Sequence, residues 1–195
     1  MTRFSTAARV AHDLGLAACL GGTLFGKVAF NPSVRVVTSK PERGKVGGTT
    51  WNRFNALNTA SFVVAAATWI SWRFGMAGDE TDRRVRDLVL VKDVLMGIAG
   101  CTGLTVLVLQ AVLYRQEPKG AVPLETGSVP APETSDRASR LQRAVSALGN
   151  VHIALFAGIV AVTAVLADEA GEPRSSVRST ADLEAGVLPE ERRSG

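Results

Sequence analysis

Four apolar runs free of charged residues constrain this chain more than any other feature. A bilayer's hydrocarbon core asks for roughly 20 apolar helical residues, and each run can be measured against that length. Phe54–Trp72 holds no charge, with Trp51 and Arg53 at one end and Trp69, Trp72 and Arg73 at the other, as suits a segment ending at two interfaces. Val94–Tyr114 and Ala144–Ala167 are also charge-free and long enough. The first run is the difficult one. Leu14–Gly26 alone is too short, and a crossing needs Val10–Phe30, which sets His12, Asp13 and Lys27 at or just inside the two surfaces. The runs predict an all-α fold, an integral membrane antiparallel four-helix bundle, with spans at 10–30, 54–72, 90–114 and 145–167.

Average composition hides this pattern. Of the 195 residues 46% are apolar, and mean hydropathy is only slightly positive because the runs alternate with connections rich in Arg, Asp, Glu, Pro and Gly. The net charge of +4 is divided among all the connections instead of forming one face, which argues against nucleic acid as a partner. Two cysteines and two histidines are too few and too scattered for a zinc motif. The string Leu16-Ala17-Ala18-Cys19 has the form of a lipoprotein cleavage box behind Arg3 and Arg9. Yet His12 and Asp13 interrupt the apolar stretch before it, and apolar character continues to Phe30, so a span is the preferred reading.

The connections divide the chain into an N-terminal segment (1–9), a membrane domain (10–167) and a charged tail (168–195) expected to be disordered. Asn31-Pro32 stops the first helix, and the stretch to Thr50 reads as a solvated loop. Acidic residues lead in "GDETDRRVRD", as suits the start of the third helix. Segment 115–135, with four prolines among Gly, Ser, Thr and Glu, has a composition that predicts an extended, mobile loop with no core of its own. Basic residues flank the spans almost equally on both sides. A long charged tail is more simply left untranslocated, which favours cytoplasmic termini and a multi-pass protein of the inner (plasma) membrane.

Up-and-down topology then sorts the polar residues of the spans into two levels. On the terminal side lie His12, Asp13, Lys92 and Asp93. Lys92 and Asp93 are neighbours whose side chains diverge, and neither has a charged residue three or four positions away. A partner for Lys92 must come from another helix, with Asp13 the natural candidate; the alternative is a lysine reaching for water. The stripes Gly15, Cys19, Gly22, Gly26 and Gly97, Gly100, Cys101, Gly103 predict close packing of the first and third spans, which would bring Asp13 toward Lys92. On the opposite side come Lys27, Asn55, Asn58, Gln110, Asn150 and His152, each about one or two turns in from a helix end. They read either as hydrogen-bonding glue between helices or as the lining of a small polar cavity.

The chain carries no glycine-rich phosphate loop, nucleophile elbow or HExxH motif, and no cofactor is implied. His12 and His152 lie roughly 15 to 20 Å apart along the normal of a ~30 Å core, too far to share one haem within a chain. The succession "HDLGLAACLGGTLFG", "NP" and "WNRFNALN" resembles the small four-helix membrane proteins of unknown function common in high-GC bacteria, and is similar to the anthrone-oxygenase-like four-span proteins. The resemblance covers about residues 10 to 115 and implies a four-span fold without transferring a catalytic residue. The expected function is that of a non-catalytic accessory or interaction subunit of a membrane complex. Its partners would be the lipid bilayer and other membrane subunits or a second copy of the chain. A small carrier or ligand-binding protein and a quinone- or haem-linked oxidoreductase are the alternatives.

Overall fold

This computed structural model describes residues 6–75 and 82–171. Among them are four long helices: α1 (Thr6–Phe25), α2 (Lys40–Gly75), α3 (Arg83–Tyr114) and α4 (Asp136–Gly171). Three stretches, Thr6–Val36, Arg83–Tyr114 and Asp136–Glu169, are long and apolar enough to cross a membrane. The charge-free run of α2 is diluted by Asn55, Asn58, Thr59, Ser61 and Thr68, and α2 also reaches well beyond it. The first five residues and the tail after Gly171 lie outside the described residues; Asp168–Gly171, assigned to the tail by sequence, continue α4 instead.

Local chemistry explains each helix end. Pro32 has no N–H to donate to a carbonyl four residues back, so α1 passes into a π-helical turn, Gly26–Phe30, closed by the Asn31 N–H on the Gly26 carbonyl. α3 starts where the side chain of Asp82 accepts from the Arg84 N–H at 3.3 Å. α4 starts behind Ser135, whose hydroxyl accepts from the Ala138 N–H.

Two expectations about connections are corrected. The stretch before Thr50 is not a solvated loop, because α2 begins at Lys40, with Pro41 and Glu42 in its first turn, where a missing N–H costs nothing and a carboxylate suits the dipole. Segment 115–135 does have a small core. Strands β1 (Leu124–Thr126) and β2 (Val129–Pro130) form an antiparallel hairpin, and Val122, Leu124 and Ala138 are buried together with Leu113 beside them. The Thr126 hydroxyl accepts from the N–H groups of Ser128 and Val129, holding the turn. The glycines of α2 make room for the segment: a Cβ on Gly44 would stand 2.0 Å from the Val122 carbonyl oxygen.

The small-residue stripe of α1 also packs differently from the expected pairing. A Cβ on Gly15 would lie 2.6 Å from the Ser61 carbonyl oxygen, and those on Gly22 and Gly26 would strike the rings of Phe54 and Trp51. The close neighbour is α2, not the third span. A stripe of small residues states that some helix comes near and does not say which. Leu16, Cys19, Ala65, Met96, Ala99, Phe156 and Ile159 form the central core, contributed by all four helices. Cys19 is fully buried there. Outward, Leu14, Phe25, Leu57, Phe74, Leu90 and Leu104 are exposed.

Candidate functional site

A cavity of about 700 Å³ lies between the helices on the side of the hairpin. It falls within the range typical of small-molecule sites. Five of the six residues predicted for a polar cavity line it: Lys27, Asn55, Asn58, Gln110 and His152. The sixth, Asn150, is exposed on the outside of α4. The inward face of that helix runs through Gln142, Ser146, Gly149, His152 and Phe156, at steps of three and four, and Asn150 falls between them. Ser146 and Gln142 are lining residues that sequence reasoning missed, and that helical spacing, counted back from His152, would have found them.

The cavity is graded from polar to apolar. Nearest the hairpin, Asn31 accepts from the Trp51 indole N–H at 3.0 Å and donates to the Ser128 hydroxyl at 2.7 Å. One turn inward, Lys27 Nζ donates to Ser146 Oγ at 2.9 Å, and the Asn55 amide donates to the Gln110 side-chain oxygen. His152 lies deeper, its Nε2 3.1 Å from the Ala99 carbonyl and 3.0 Å from the Thr102 hydroxyl, its ring stacked on Phe156. The floor is Phe62, Met96 and Phe156. One buried acceptor is left over: Asn58 Oδ1 has no donor facing it among the described residues.

The cavity opens sideways. α2 and α3 touch sparsely, while α1 packs on α2 and α4 on α3. Every exposed residue of the lining belongs to α2, to α3 or to Arg115, which comes directly after α3; the lining residues from α1 and α4 are all buried or half-buried. Phe62 against Gly100 closes the gap at the floor, and Gly48 against Tyr114 closes it near the hairpin. The Asn55–Gln110 hydrogen bond crosses it between these two points. At the hairpin end, Gly127 donates to the Asn31 carbonyl at 2.9 Å and accepts from Gln142 at 2.8 Å, so the turn is fastened both to the residue that follows the π-helical turn and to α4.

The terminal-side layer has a different geometry from the one expected. Lys92, only 1% exposed, meets His12 and not Asp13. The His12 Nδ1–H donates to the Ala65 carbonyl at 2.8 Å, which leaves the Nε2 lone pair facing the Lys92 ammonium at 2.9 Å. The ammonium also stands 4.0 Å from the centre of the Trp69 ring, a cation–π contact worth about 2 kcal/mol when desolvated. Asp93 points the other way. It accepts from the Trp69 indole at 2.7 Å and from Arg73 at 3.1 Å, so Trp69 ties the two divergent side chains into one network. Asp13 is exposed on the outer side of α1. Among the described residues no group of three or more His, Cys, Asp and Glu side chains gathers as metal ligands would. In comparisons with family models, with curated proteins and with solved structures, the chain matches none.

Proposed function

We propose that this is a four-span, antiparallel integral protein of the plasma membrane that binds a small amphiphilic molecule between its helices. The observation carrying this reading is the cavity of about 700 Å³, polar at one end and apolar at the other, with its lateral opening between α2 and α3. Exposed Leu14, Leu57, Leu90 and Leu104 fit a lipid-facing exterior. α2 serves as the fourth span because its asparagines at positions 55 and 58 turn to the cavity and need no contact with lipid. The orphaned Asn58 acceptor offers a ligand its own hydrogen bond. An accessory-subunit role needs none of this, which is why ligand binding is preferred over it.

The test is native mass spectrometry of protein purified in mild detergent from alkali-washed membranes. A bound small molecule is expected, and it should be lost from Gly103→Leu, whose side chain grows beside His152 into the cavity, without a fall in expression or melting temperature. Extraction of the protein by the alkaline wash, or a ligand-free spectrum together with no binding of added amphiphiles, would overturn the reading.

A further inference from the structure

The cavity is unbalanced in charge. Its lining includes Lys27 within the bundle and Arg115, exposed at the rim, and no aspartate or glutamate among the described residues contributes to it. Lys27 forms no ion pair among the described residues. Among the described residues its one hydrogen-bond partner is the neutral hydroxyl of Ser146, and an ammonium carries three donors. Asn55 and Gln110, at the same level, are joined to each other. Lys27 is half-buried in a lining that also holds Trp51, Phe54 and Val145, and an anion placed beside it recovers Coulomb energy that bulk water would screen.

A specific local device puts the cation there. The π-helical turn Gly26–Phe30 adds a residue to the helical repeat just ahead of Pro32, and Lys27 lies inside that turn, directed at α4. Deeper in, the cavity becomes apolar through to Phe62, Met96 and Phe156, and the gap between α2 and α3 runs between the Asn55–Gln110 hydrogen bond at the level of Lys27 and the Phe62–Gly100 contact at the floor.

We infer that the site takes a single-chain amphiphilic anion, a long-chain carboxylate, with the carboxylate on Lys27 and the chain running toward Phe62 and Phe156. The inference rests on the ligand-binding function proposed for the cavity. A cavity of this volume suits one drug-sized amphiphile and not a two-chain phospholipid. Of the two cations in the lining only Lys27 stands within the bundle, and one such cation matches a single negative charge.

The test uses the full chain in nanodiscs of neutral phosphatidylcholine, with dodecanoate, dodecanol and dodecylammonium as probes at about pH 8, where the carboxyl group is ionised. Dodecanoate is expected to bind about tenfold tighter than dodecanol, a gap of ~1.4 kcal/mol, and dodecylammonium weakest. Lys27→Gln should erase the preference for dodecanoate while leaving dodecanol binding intact; Lys27→Arg should keep it. Lys45→Gln, an exposed charge outside the cavity, should change nothing. Equal binding of dodecanoate and dodecanol, or a preference that survives Lys27→Gln, overturns the anion assignment and leaves the cavity as a neutral site. Stronger competition by phosphatidylglycerol than by dodecanoate overturns the carboxylate in favour of a lipid headgroup. If none of the three probes binds, the ligand-binding reading fails as well.

Discussion

Adjacent residues on a helix point about 100° apart, and Lys92 and Asp93 part company accordingly. One of the pair enters the bundle and the other lies along its edge, and each finds an uncharged partner of its own: His12 for the lysine, the Trp69 indole for the aspartate. Because His12 bridges the Ala65 carbonyl and the Lys92 ammonium, removing it strands a buried cation. His12→Leu should cost about 2 kcal/mol, the range for leaving a buried polar group unsatisfied. The double variant His12→Leu, Lys92→Leu should be more stable than the sum of the single changes implies. Thermal unfolding tracked by circular dichroism gives the cycle, and strict additivity would show that the two side chains are not coupled. This contact was legible in part. His12, Gly15, Leu16, Cys19, Thr23 and Gly26 fall on one helical face, and all are buried. Asp13 stands off that face: pairing by charge alone points to Asp13, and the helical periodicity of α1 points to His12. What the sequence does not disclose is that Trp69 and Arg73 complete the network, since they come from a helix whose rotation no local pattern fixes.

At the scale of elements, the hairpin is the part least readable in advance. Proline, glycine and threonine over 115–135 argue for an open loop when taken alone, and the burial of Val122 and Leu124 depends on α2 extending back to Lys40 to meet them. The clamp on its outer side is electrostatic. Lys40 contacts Glu125 at 2.6 Å and Glu133 at 3.2 Å, and Arg43 reaches the carbonyls of Leu124 and Glu125. Hydrogen bonds from Lys40 to Glu125 and Glu133 raise the lysine above its ordinary value, and Glu133 is held below the usual glutamate range by its own backbone N–H and then by Lys40. A lowered carboxyl contributes stability at pH values above its unfolded range and loses it as pH falls through the lowered value. A raised lysine contributes below its ordinary value and loses it as pH rises through the raised one. The hairpin should therefore stay docked from mildly acidic to mildly alkaline pH and loosen in strong acid. Amide hydrogen exchange across 122–131 reads this directly: protection should drop in acid relative to the α1–α2 core, and should drop less in Glu133→Gln, which has already lost the charge. Glu133 is exposed and Lys40 partly so, and added salt should shrink the difference.

For the molecule as a whole, the four apolar runs made the helical composition legible, and five of the six residues named for the polar level opposite the termini line the cavity. The neighbour relations were not legible. Glycines at 15, 22 and 26 serve α2, while α2 and α3 touch sparsely and the opening lies between them. On the proposed reading of a ligand-binding protein within the bilayer, that opening sets the quantity to which binding responds. With the hairpin fastened across one end and the gap facing sideways, a ligand would arrive from the lipid phase, and occupancy would track its mole fraction in the bilayer and not its concentration in water. Titration of the protein in vesicles at fixed total ligand should then show saturation falling as phospholipid is added, in proportion to the dilution of ligand among lipid molecules. A curve indifferent to the amount of lipid would mean that the route runs through the aqueous end. On the lateral route the bilayer itself acts as the first filter, concentrating molecules by their oil–water partition before any side chain of the protein has touched them.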